Sequence, residues 1–105
     1  WVTRPVSEPW LEWTRSLALA ASPVATLACV DAFGRTDFRP DMAAFTMPTL
    51  IIHGTADKTV PIEATARVAA RLIPHAELVE YAGAPHGLFA TDPGRLNADL
   101  IRFLL

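Results

Sequence analysis

One cysteine, one tyrosine, five glycines and no long apolar run mark this chain of 105 residues. A single thiol, Cys29, cannot close an intrachain disulfide, which fits a reducing compartment and makes the cytoplasm the expected location. No stretch approaches the roughly 20 consecutive apolar residues that span a membrane, so no membrane partner is expected. The opening residues, WVTRPVSEPW, lack the charged-then-apolar order of a signal segment. Neither sign of charge dominates, since 9 basic and 11 acidic residues leave a net charge of −2. Without a basic field, nucleic acid is not an expected partner. Repeats and low-complexity tracts are also absent. The chain opens on Trp1 rather than Met, and its natural start is expected further upstream.

What is present is apolar: 51% of the residues, too many for a disordered chain. Two helices come first. Ser7 is a favourable N-cap with Glu8 and Pro9 in the first turn, and WLEWTRSLALAA continues the helix. Ser22 and Pro23 repeat the start signal, and VATLACVDAF is expected to run until Gly34 stops it. A polar turn follows at 35–41. The second half reads as strand, helix, strand, helix. TLIIH at 49–53 is short and isoleucine-rich, as a parallel strand covered on both faces would be. IEATARVAARLI at 62–73 predicts one helix with a stripe of Ile62, Ala66, Ala69, Ala70 and Ile73. AELVEYA at 76–82 predicts a second strand, whose Glu77 and Glu80 suggest a sheet edge. A last helix opens at Asp92 and Pro93, with Leu96, Leu100, Phe103 and Leu104 as its stripe. The class is α/β. Two parallel strands do not finish a sheet, so TLIIH is expected to want neighbours on both sides.

In open α/β sheets, chemistry gathers beyond the carboxyl ends of the strands. HGTADKTVP follows the first strand and GAPHGL the second, which brings Asp57 and His86 to one edge. A carboxylate that accepts from one imidazole nitrogen fixes the tautomer and stabilises the imidazolium formed when the other nitrogen takes a proton. A lone Asp in a loop is most often a turn or cap residue. An Asp and a His, each just after a predicted parallel strand, favour a catalytic pair. Gly54, Gly83 and Gly87 are expected to let the backbone turn beside them.

These loops resemble the closing part of α/β-hydrolases. The acid-loop pattern Gly-x-x-Asp-x-x-Val-Pro is met by Gly54, Asp57, Val60 and Pro61, and His86 takes the place of the family's histidine. The segment ASPVATLACVDAFGRTDFRPDM at 21–42 is similar to the cofactor-free haloperoxidase, perhydrolase and esterase branch. The resemblance implies a C-terminal portion of that fold: a helical cap or connector at 1–46 and the final β-α-β-α of a mainly parallel sheet at 47–105, one incomplete domain. It implies acyl transfer on a small ester, with hydrogen peroxide and halide as further reactants and no cofactor. The family's Gly-x-Ser-x-Gly elbow is not found around Ser7, Ser16 or Ser22. An N-terminal hydrolase half is therefore expected to complete the site, and the chain alone is expected to be inactive. The alternative is a non-catalytic binding module or one half of a split enzyme.

Three further features have plainer readings. His53, His75 and His86 lie on separate elements without an i, i+4 helical pair, so no metal site is expected, and His53 reads as a strand-end residue bonding locally. Cys29 reads as a small core residue of an apolar helix. Trp1, Trp10 and Trp13 read first as packing residues and second as the lining of an acyl pocket.

Overall fold

A computed structural model describes residues 2–105, which divide into two compact units. One is Val6–Phe38; the other combines residues 2–5 with 39–105. Trp1 lies outside the described residues, and so does its expected role.

The unit Val6–Phe38 contains α1 (Glu8–Ala20) and α2 (Pro23–Arg35). Proline in the first turn of each supplies a helical φ without wasting an N–H. Ser22 caps α2 through its hydroxyl, which accepts from the Ala25 N–H at 3.3 Å. Ser7 occupies the cap position of α1 but makes no side-chain cap bond. Gly34 does not stop α2, which runs one residue further. Thr36 ends it, its N–H and hydroxyl both donating to the Ala32 carbonyl. Neither helix contains a buried residue. Cys29 is exposed, not a core residue, because nothing in this two-helix unit covers that face. Trp13 is likewise 57% exposed, so it is not the packing residue expected. No single helix among the described residues is long and apolar enough to cross a membrane.

The second unit holds a parallel pair, β1 (Leu50–Gly54) and β2 (Glu77–Tyr81), in the register Leu50↔Glu77 to Gly54↔Tyr81. Among the described residues β1 has no second neighbour, and Leu50–His53 are only half-buried. Between the strands the chain forms a 3-10 turn (Ile62–Ala64) and then α3 (Ala66–Leu72). The single helix expected over 62–73 is broken at Thr65 (φ −129°, ψ −89°). There the Thr65 hydroxyl donates to the Pro61 carbonyl at 2.9 Å, competing with regular helix bonding. The stripe still works: Ile62, Ala66 and Ile73 are buried, with Tyr81 and Ala84 completing the core. After β2 come a short unanticipated turn of helix, α4 (Leu88–Thr91), and α5 (Pro93–Leu104). On α5, Leu96 and Phe103 are half-buried while Leu100 and Leu104 are exposed.

Alternation along β2 sets the layers. Glu80 is gripped by Arg67 of α3, at 2.7 and 2.6 Å. Glu77 and Tyr81, on the other face, reach Arg102 and Asp99 of α5. The strand carboxylates thus mark helix contacts on both faces as well as an edge. Both strands end at the same side of the sheet, where two loops emerge together.

Candidate active site

The loop after β1 folds around its aspartate. Thr59 and Val60 N–H groups donate to Asp57 Oδ1 at 2.9 and 2.8 Å, an Asx-type turn built by the side chain. The other oxygen, Oδ2, accepts from His86 Nδ1 at 2.8 Å. The structure therefore brings Asp57 and His86 together across 29 positions of sequence. Asp57 is buried, its side chain 3% exposed, while the His86 ring is 35% exposed. Burial pushes the Asp57 carboxyl up, but the Val60 N–H, His86 and the Thr59 N–H together outweigh it. The group is held below the usual carboxylate range. An ionised carboxylate only accepts, so His86 Nδ1 carries the hydrogen, and Nε2 is the nitrogen able to take up a proton.

Backbone contacts fix the two loops to each other. Ala56 N–H donates to the Ala84 carbonyl at 3.0 Å, and Gly83 N–H donates to Thr55 Oγ1 at 2.8 Å. Gly54 has a specific role here. A Cβ at that position would stand 2.2 Å from the Ala84 oxygen and 2.8 Å from the Pro85 oxygen. Glycine at 54 serves close approach of the second loop; among the described glycines, Gly83 is the one in the left-handed region, at φ 71°. The chain does turn at His86 and Gly87, but Gly87 has φ −81°, which any residue adopts, so that turn does not depend on glycine. Pro85, almost fully buried, leads the chain into His86.

A second histidine stands beside this pair, and its bonding is local to the end of the strand, as the sequence suggests, but its contact with the candidate acid is not anticipated there. His53 Nε2 donates to the Val60 carbonyl at 2.9 Å, and the same atom lies 3.2 Å from Asp57 Oδ2. The only signal was its position as the last residue before Gly54 at the carboxyl end of the strand. His75, by contrast, turns the chain between α3 and β2 with φ 60°, a conformation in which His is enriched among non-glycine residues. Among the described residues, no group of three His, Cys, Asp or Glu side chains is placed to hold a metal ion.

A cleft of about 250 Å³ opens beside His86, with Thr3, Ala56, Lys58, Thr59 and Pro85 in its walls. A larger hollow of about 450 Å³ runs along α2 past Ala25, Cys29 and Phe33. It is apolar and contains no acid–base pair, so size alone does not mark the reactive place.

The model of the alpha/beta hydrolase fold matches residues 9–93. The chain belongs to the α/β-hydrolase family. It is 47% identical over 91 residues to a non-heme chloroperoxidase of Kitasatospora aureofaciens, covering 84% of this chain and 33% of that protein. It is 35% identical over 100 residues to a bifunctional esterase/perhydrolase of Acinetobacter calcoaceticus, covering 94% and 36%. Among solved structures, a bromoperoxidase from Bacillus anthracis superposes with a TM-score of 0.89 at 43% identity, covering 94% of this chain and 36% of that one. The α/β fold thus corresponds to a C-terminal portion of the hydrolase fold, and the chain spans about a third of the length of the curated relatives it matches.

Proposed function

We propose that Asp57 and His86 are the acid and the base of a Ser–His–Asp triad for acyl transfer on a small ester. One observation carries the reading: the 2.8 Å bond from His86 Nδ1 to a buried carboxylate at the ends of two adjacent parallel strands. Asp57, anchored by Thr59 and Val60, holds the ring in the tautomer that leaves Nε2 as base. Nε2 takes the serine hydroxyl proton as the serine oxygen attacks the ester carbonyl. The protonated ring gives that proton to the departing alcohol, which leaves an acyl-enzyme. Water then loses a proton to Nε2, attacks the acyl carbon, and releases the carboxylic acid and the serine. With hydrogen peroxide in place of water the released product is a peracid, an oxidant able to convert halide to hypohalous acid. The names of the relatives, chloroperoxidase and esterase/perhydrolase, support both branches. A positioned histidine base is worth about 10²–10⁴ in rate.

The nucleophile in this reading comes from an N-terminal hydrolase portion. Ser16 donates to the Trp13 carbonyl within α1, and Ser22 caps α2, so both hydroxyls have helical duties. The chain by itself is accordingly inactive, because the serine elbow and its share of the oxyanion hole are contributed elsewhere. Hydrolysis of p-nitrophenyl acetate tests this. The chain joined to a Gly-x-Ser-x-Gly-bearing N-terminal portion should turn over, with Asp57→Asn and His86→Ala each reducing kcat by about 10³-fold or more. The isolated chain should neither turn over nor react with a serine-directed fluorophosphonate. Labelling of the isolated chain, or full activity of His86→Ala, would refute the reading.

A further inference from the structure

We infer that His53 is a positioning residue that sets the acid loop and thereby the orientation of His86; this rests on the proposed triad. Its Nε2 faces two acceptors, the Val60 carbonyl at 2.9 Å and Asp57 Oδ2 at 3.2 Å, so that nitrogen carries a hydrogen. The side chain is only 15% exposed. The backbone of Val60 is consequently held on both sides of its Cα: its N–H by Asp57 Oδ1, its carbonyl by His53. His53 belongs to β1, the rigid element, whereas Asp57 and Val60 belong to the loop. The histidine therefore ties the loop back to the strand that supports it, with its positive N–H edge beside the oxygen that His86 uses.

The surroundings suit that duty. Glu80 stands opposite His53 in the sheet register. Arg67 grips both Glu80 oxygens and also meets Glu63. With Glu80 engaged by a guanidinium, Asp57 is the carboxylate to which both His53 and His86 present N–H groups. A loop residue displaced by about 1 Å can cost about 10²-fold in a positioned reaction.

The test uses the complete hydrolase containing this chain, with p-nitrophenyl acetate. His53→Gln keeps an N–H two bonds from Cγ, where the histidine Nε2 stands. His53→Asn places its N–H one bond short, and His53→Leu has none. Gln should retain kcat within about threefold, whereas Leu and Asn should lose about 10–100-fold in kcat with KM within about twofold. Should the Leu variant not fold, the Asn–Gln comparison is the arm that is read. Unchanged kcat in Asn, equal losses in Gln and Asn, or a loss carried by KM would overturn the inference. Full activity in Asp57→Asn would instead overturn the triad reading beneath it. Loss in Asp57→Asn with no loss in His53→Asn would overturn the role of His53 alone.

Discussion

Replacing Gly54 with alanine should push the two site loops apart. The added Cβ would stand 2.2 Å from the Ala84 oxygen, 2.6 Å from its carbonyl carbon and 2.8 Å from the Pro85 oxygen. All three are backbone atoms and no flexible side chain can swing aside. Relief to an ordinary contact of 3.4 Å requires a shift of about 1.2 Å at the closest pair. That shift carries the Ala56–Ala84 bond from 3.0 Å to beyond the hydrogen-bonding range. It also strains the 2.8 Å contact between Asp57 and His86. Overpacking of this kind costs about 1–3 kcal/mol, and each lost hydrogen bond adds about 1 kcal/mol. A destabilisation of about 2–5 kcal/mol follows, a large part of the roughly 5–15 kcal/mol that holds a typical domain together. With a urea slope of about 1–2 kcal/mol/M, the unfolding midpoint should fall by roughly 2 M. A midpoint and an Asp57–His86 contact both unchanged in Gly54→Ala would refute the close-approach argument.

Gly94→Ala is the opposite case. Gly94 lies in α5 with nothing within 4 Å of an added Cβ, so alanine should raise the melting temperature through up to about 1 kcal/mol of helix stabilisation. Asp57 ionises more readily folded than unfolded, so its contribution is complete above about pH 4 and is lost as pH falls through its lower folded-state value. Urea midpoints measured from pH 6 to pH 2.5 should show that loss, and Asp57→Asn should flatten it. Tyr81 is the only tyrosine and 1% exposed; burial first, and then Asp99, push its hydroxyl up to about 12. Ultraviolet titration should therefore show no phenolate until near pH 12. The linked stability, present below the unfolded value of about 10, should be lost as pH rises toward that point.

The strands and the two loops were legible because each is a local pattern. TLIIH is a continuous apolar run, and HGTADKTVP and GAPHGL are turn-rich stretches at strand ends. That order of elements was enough to bring Asp57 near His86. What stayed hidden depends on contacts through space. Gly54 reads as a turn glycine until the Ala84 and Pro85 carbonyls come against it. His53 reads as a strand residue until the loop folds Val60 and Asp57 onto it. The periodicity of 62–73 is correct as a buried stripe, yet the backbone leaves helical geometry at Thr65 (φ −129°, ψ −89°), which no spacing of apolar residues announces. Cys29 reads as packing from its apolar helix and Trp13 from its helical spacing to Trp10, but a two-helix unit has no second layer to bury them.

Proton and nitrogen-15 NMR of the His86 ring decide whether Asp57 and His86 form an acid–base pair. The pair requires a hydrogen on Nδ1, strongly deshielded by the Asp57 carboxylate, and loss of that resonance in Asp57→Asn. A neutral ring with its hydrogen on Nε2, or an Nδ1 resonance indifferent to Asp57→Asn, would contradict it.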